Sequence, residues 1–92
     1  MARNVTSRGY IWYKEVTQNP ANILAGAVNE ESFTVSAAQP GHWIECQAPS
    51  LETGLIFGKP WCDVVGTVKM RIANNTVEPI NPASQVFYFL CR

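Results

Sequence analysis

Two runs constrain this chain more than any other feature. Val68-Lys69-Met70-Arg71-Ile72 alternates apolar and charged side chains at every step, whereas Val86-Phe87-Tyr88-Phe89-Leu90 is apolar or aromatic throughout. Successive side chains of a strand point to opposite faces, so the first run packs Val68, Met70 and Ile72 on one side and wets Lys69 and Arg71 on the other. The second run offers apolar groups to both sides and must be covered twice, which predicts a central strand with one face in the core and the other against a loop or a neighbour. An uncovered strand of that kind is an aggregation hazard.

The rest of the chain agrees. No long segment repeats apolar positions at helical spacing, and short aromatic and β-branched stretches end in Gly, Pro or Asn. Strands are expected over Gly9 to Thr17, Glu31 to Ser36, His42 to Gln47, Gly54 to Lys59, Thr67 to Ala73 and Gln85 to Cys91, with shorter extended pieces near Ile23 and from Trp61 to Val64. Phe33 and Val35 against Ser32, Thr34 and Ser36 repeat the one-sided pattern. Asn19-Pro20, Gln39-Pro40-Gly41, Ala48-Pro49-Ser50 and Val65-Gly66 place fixed φ or positive φ where the chain should reverse. The expected fold is all-β: a single antiparallel β-sandwich, jelly-roll or immunoglobulin-like, of about six to eight strands. Residues 1–10 are assigned to an amino-terminal arm and residues 11–92 to the sandwich domain.

A chain of 92 residues makes one domain and buries only roughly 60 to 65% of its unfolded surface. Its side chains are 47% hydrophobic and 15% charged, against about 25% charged in an average soluble domain, so a partner covering part of the surface is expected. Seven basic and seven acidic residues cancel to a net charge of zero. Such a chain sets up no long-range field toward a phosphate backbone, and nucleic acid is not an expected partner. No window approaches the ~18 apolar residues of a membrane span, so no membrane partner is expected either.

Site chemistry is sparse. Cys46, Cys62 and Cys91 are an odd number, and with His42 they form a set a zinc ion would accept, but no Cys-x-x-Cys pair brings two ligands together. The thiols are read as buried hydrophobes, with one late disulfide as the competing possibility. A Cys/His nucleophile pair at His42 and Cys46 would lie about 13 Å apart along a strand, beyond hydrogen-bond reach. The acids Glu15, Glu30, Glu31, Glu45, Glu52, Asp63 and Glu78 are scattered, with Glu30-Glu31 read as a solvated strand entry, and the glycines form no phosphate loop. No catalytic residue, metal ligand or cofactor is therefore assigned, and the chain is not expected to be an enzyme. Tyr10, Trp12 and Tyr13, with Trp43 and Trp61, could stack on sugar, or serve as core and interface anchors.

The series Asn22-Ile23-Leu24-Ala25-Gly26, Ser32-Phe33-Thr34-Val35-Ser36, Gln39-Pro40-Gly41, Ala48-Pro49-Ser50-Leu51, Gly66 to Asn74, and Thr76 to Ser84 resembles small β-sandwich structural proteins of tailed bacteriophages. The resemblance covers about residues 20 to 91, and its most specific part is Arg71, Asn74, Thr76 and Pro82-Ala83-Ser84 in register. His42 departs from the pattern, where an acidic residue is usual, as does Trp61-Cys62 in place of a Trp/Tyr-Val step. The resemblance implies a virion component that decorates or cements a capsid by binding the major capsid protein lattice, as a homotrimer on the capsid exterior after synthesis in the bacterial cytoplasm. A neck, tail or fibre module binding another virion protein or host-surface glycan is the alternative. Partner contacts are expected from Arg3, Arg8, Tyr10 and Trp12 on the arm side, and from Phe87 and Phe89 in the last strand.

Overall fold

The structure, a computed structural model, describes residues 11–92, and among them every regular element is a strand. There are seven: β1 (Trp12–Gln18), β2 (Val28–Thr34), β3 (Ile44–Gln47), β4 (Leu55–Phe57), β5 (Trp61–Val64), β6 (Thr67–Asn74) and β7 (Gln85–Cys91). Sheet one runs β1-β7-β3 and sheet two runs β2-β6-β4, all pairings antiparallel. Strand β5 also pairs with β6, so the far side of β6 is shared end to end: β4 takes residues 72–74 and β5 reaches residues 67–69. The chain changes sheet after β1, β2, β3 and β6, and the product is a β-sandwich.

The two constraining runs become the two central strands. In β6, Val68, Met70 and Ile72 are fully buried while Arg71 is exposed, as alternation requires. In β7, Phe87, Phe89 and Cys91 are fully buried and Val86, Tyr88 and Leu90 are half-buried on the outer face. The sheets meet through three phenylalanines. Phe33 of β2 sits 4.9 Å from Phe87 and 4.9 Å from Phe89, ring centroid to centroid and tilted, the arrangement aromatic quadrupoles favour. Ile23, Val35, Ala38, Ile44 and Leu55 complete the core around them.

Strand β2 starts at Val28, earlier than the expected Glu31, and ends at Thr34. The Glu30-Glu31 pair is therefore mid-strand and not a strand entry. Glu30 points outward to Arg71, 3.8 Å away, whereas Glu31 points inward at the sheet edge. There it accepts hydrogen bonds from Gln18 Nε2 (2.9 Å) and the Ala21 N–H (3.1 Å), joining β1 and the β1–β2 connection to β2. Ile23 forms a lone bridge with Ile80, the expected short extended piece.

Two glycines do what only glycine does readily. Gly66, at φ +85°, closes the β5–β6 hairpin, and its N–H donates to the Ala38 carbonyl (2.9 Å). Gly54, at φ +96°, lies under Thr76 so closely that a Cβ there would overlap the threonine methyl. Across the open side of the sandwich, the Lys59 ammonium stands 3.7 Å from the Trp43 ring centroid and donates to the Ile44 carbonyl (3.1 Å). One lysine thus ties the β4–β5 connection to the edge of β3.

Candidate functional site

Of the partner contacts expected from sequence, Arg3, Arg8 and Tyr10 lie outside the described residues. Trp12 is half-buried against the core, and its indole N–H donates to His42 Nδ1 (3.2 Å). The Gln39 N–H donates to the same nitrogen (3.3 Å), so Nδ1 is an acceptor and the ring carries its proton on Nε2. Phe87 and Phe89 correct the expectation. Both are 0% exposed because their positions in β7 point between the sheets, so they hold the core and cannot touch a partner. The side chains that β7 turns outward are Val86, Tyr88 and Leu90.

The three cysteines are free thiols. Burial pushes Cys46 up to about 12. Burial also raises Cys91, an effect partly offset by a backbone hydrogen bond with Trp43. Cys62 is buried and its Sγ donates to the Val64 carbonyl (3.1 Å). Raised thiols are poor nucleophiles. Among the described residues, no three His, Cys, Asp or Glu side chains gather as a metal site would require.

Neither exposed-side tryptophan offers a bare platform. Lys59 lies over Trp43, whose N–H donates to Glu45 (3.2 Å), and Arg71 lies 4.8 Å over Trp61. These cation–π contacts occupy one face of each ring.

The two outer faces of the sandwich differ. On sheet two, most positions are charged or polar: Glu30 pairs with Arg71, and Lys69 with Asp63 (3.2 Å). At the β6 end where β4 joins, however, the register sets Val28 opposite Ala73 and Ala73 opposite Ile56. Val28 is 58% exposed and Ile56 59%, which makes an uncovered apolar row across three strands.

On sheet one, the register builds three rows. Tyr13, Leu90 and Glu45 form the first; Glu15, Tyr88 and Gln47 the second; Thr17 and Val86 the third. Tyr13 donates to Glu15 (3.0 Å), and Arg92 binds Glu45 (3.1 Å). Tyr13, Tyr88 and Leu90 line a shallow groove of about 530 Å³ together with Gln47, Pro49 and Arg92. The outer face of β7 is thus not the continuous apolar surface expected from its sequence, because the strands beside it interleave carboxylates and an amide with its apolar groups. One signal in the sequence marked this face: a Tyr between two Phe puts its hydroxyl on the wet side.

Compared with protein-family models, with curated proteins and with solved structures, the chain has no match in any of the three.

Proposed function

We propose that this chain is a structural module of a bacteriophage virion, a capsid decoration (cement) protein that seats on the major capsid protein lattice and assembles as a homotrimer. The observation that carries the proposal is the row Val28, Ala73 and Ile56, apolar and exposed at one end of an otherwise charged and polar face. Isolated apolar residues on a surface need no partner, but a row in register across three strands suits one. The signature shared with phage β-sandwich proteins supports the same assignment. Its residues Asn74 and Thr76 form one hydrogen-bonded corner that fixes the loop after β6. The scattered acids, the raised thiols and the fully engaged His42 Nδ1 supply no chemistry that would recommend an enzyme instead.

The test has two parts. Native mass spectrometry of the purified chain should show a trimer, and mass spectrometry of density-purified particles from the source phage should detect the chain. Ile56→Glu should abolish particle binding while leaving the unfolding midpoint close to wild type, since Ile56 is exposed. A chain that stays monomeric and is missing from the particles would end the proposal.

A further inference from the structure

We infer that the free edge of β3 is a strand-accepting slot for an extended segment of another protein, one that carries an apolar residue and, two residues further on, a carboxylate. The register identifies the groups on offer. Antiparallel partners alternate between pairs that exchange two hydrogen bonds and pairs whose main-chain groups point apart. Arg92 donates its N–H to the Trp43 carbonyl (2.9 Å), so alternation makes Glu45–Leu90 and Gln47–Tyr88 the bonded pairs. Ile44 and Cys46 therefore turn their main chain away from β7, to the side where β3 has no neighbouring strand. The Lys59 ammonium reaches the Ile44 carbonyl from that side (3.1 Å). Among the described residues, the Ile44 N–H and both main-chain groups of Cys46 have no hydrogen-bond partner.

Beside this edge lies a recess of about 340 Å³, bounded by Ile44, Cys46, Phe57, Gly58 and Lys59. It has room for side chains: a Cβ at Gly58 would meet no atom beyond its chain neighbours within 4 Å. A strand added about 4.8 Å from β3 would bond twice with Cys46 through one of its residues. The side chain of that residue points inward, as Cys46 does, and meets Phe57, which is half-buried against the core. An apolar group fits there. The residue two further on lies opposite Ile44, beside the Lys59 ammonium. A carboxylate at that place takes the ammonium in a charge-assisted bond and frees the Ile44 carbonyl for the strand's own N–H. Lys59 is thus a gate that a basic strand leaves shut. In strand addition of this kind the main-chain bonds supply affinity and alternate side chains supply selectivity.

Two nearer occupants fit worse. A second copy's β3, paired so that Ile44 meets Cys46, sets Glu45 directly opposite the partner's Glu45, and like charges so placed are destabilising. Residues 1–10 carry Arg3 and Arg8 and no acid, so they offer nothing to Lys59. The slot is separate from the Val28–Ala73–Ile56 row and does not depend on what that row binds.

The experiment is amide hydrogen exchange, followed by NMR on the isotope-labelled chain. The probes are the end-blocked heptapeptide Ser-Thr-Val-Thr-Glu-Thr-Ser and a control with Lys in place of its Glu. In the free chain the Glu45 and Gln47 amides should exchange slowly and those of Ile44 and Cys46 fast. The acidic peptide should bind saturably and slow Ile44 and Cys46 at least tenfold, and the lysine control should bind at least tenfold more weakly. Lys59→Met should erase that difference. N-methylation of the valine, which removes the donor to Cys46, should abolish binding. So should Gly58→Val, which fills the recess at an exposed position and should leave the unfolding midpoint close to wild type. No slowing at Ile44 and Cys46 with the acidic peptide, or equal binding of the lysine or N-methyl peptide, would overturn the inference. Slow exchange of both amides in the free chain would overturn it too: if lost on dilution, a second copy fills the slot, and if lost on deleting residues 2 to 8, the amino-terminal segment does. Ile56→Glu should leave peptide binding unchanged, so failure of capsid docking and failure of the slot are told apart.

Discussion

Asn74 shows how one side chain can organise a loop from inside the core. It ends β6 in phase with Val68, Met70 and Ile72, so alternation turns it inward, where it is 2% exposed. A buried amide has two N–H donors and two oxygen lone pairs to satisfy, and this one satisfies all four. Nδ2 donates to the carbonyls of Ile23 (3.0 Å) and Glu78 (2.8 Å). Oδ1 accepts from the Thr76 N–H (3.0 Å) and hydroxyl (2.7 Å). The amide thereby closes an Asx-type turn and joins the Ile23 bridge to the loop that follows β6. Asn74→Ala leaves the Ile23 carbonyl and the Thr76 N–H without these partners, and should cost about 2 to 4 kcal/mol in urea unfolding. Asn74→Asp should be no better at neutral pH, because a carboxylate would face two carbonyl oxygens. Gln85 contrasts with it: Nε2 donates to Glu52 (3.1 Å) and the Ala83 carbonyl (3.0 Å), but Oε1 is buried with no partner. That orphan represents roughly 1 to 3 kcal/mol of desolvation that the surrounding core must offset.

At the scale of elements, strand β2 carries its share of the core through Phe33, whose ring stands between those of Phe87 and Phe89. Phe33→Ala removes the contact that joins the sheets and should cost about 3 to 5 kcal/mol, seen as a lower urea midpoint, with Phe33→Leu recovering much of it. The inward face of β6 was legible in the sequence because its alternation is unbroken, and the β5–β6 hairpin because Val65-Gly66 names its own turn; which face of β7 turns inward was not, because apolar residues occupy both, and Phe87 and Phe89 were expected at a partner. Nor was the start of β2 legible. Glu31 looks solvated in one dimension, and only the nearness of Gln18 and the Ala21 N–H in the fold lets a carboxylate point inward at a sheet edge. The groove on sheet one was hidden for a related reason: it combines Tyr13, Gln47 and Tyr88 from three strands distant in sequence, and register across β1, β7 and β3 is set by tertiary packing. The edges themselves are guarded. Glu31 points inward on β2, Lys59 caps the Ile44 carbonyl on β3, and β4 is only three residues long. These are devices that discourage indiscriminate strand addition.

For the whole molecule, the titrating groups define the pH range in which this sandwich is most stable. On the acid side the group is Glu52, which links the β3–β4 connection to the residues before β7. Burial raises its carboxyl, but hydrogen bonds from the Ala83 N–H (2.7 Å), the Gln85 amide and its own N–H outweigh that and hold it below its ordinary value of 4.5. A carboxyl lowered by folding stabilises the native state above its unfolded value, and the contribution fades as pH falls through the folded one. On the alkaline side the groups are Cys46, pushed by burial from 9.0 up to about 12, and Cys91, raised in the same direction. A thiol raised by folding contributes fully below its unfolded value, and the contribution is lost as pH rises from about 9 toward the folded value, because the unfolded chain releases its protons first. Stability should therefore form a plateau from roughly pH 5 to 8 with a limb on each side. Urea midpoints measured across pH 3 to 11 check this: Glu52→Gln should lower the plateau and flatten the acid limb, and Cys46→Ala should flatten the alkaline one. The same burial makes a second readout available in one tube. At pH 8 a thiol reagent should react slowly with the native chain and take up all three cysteines at once in urea, and rapid native labelling of Cys46 would show that the open edge beside β3 admits solvent to the core.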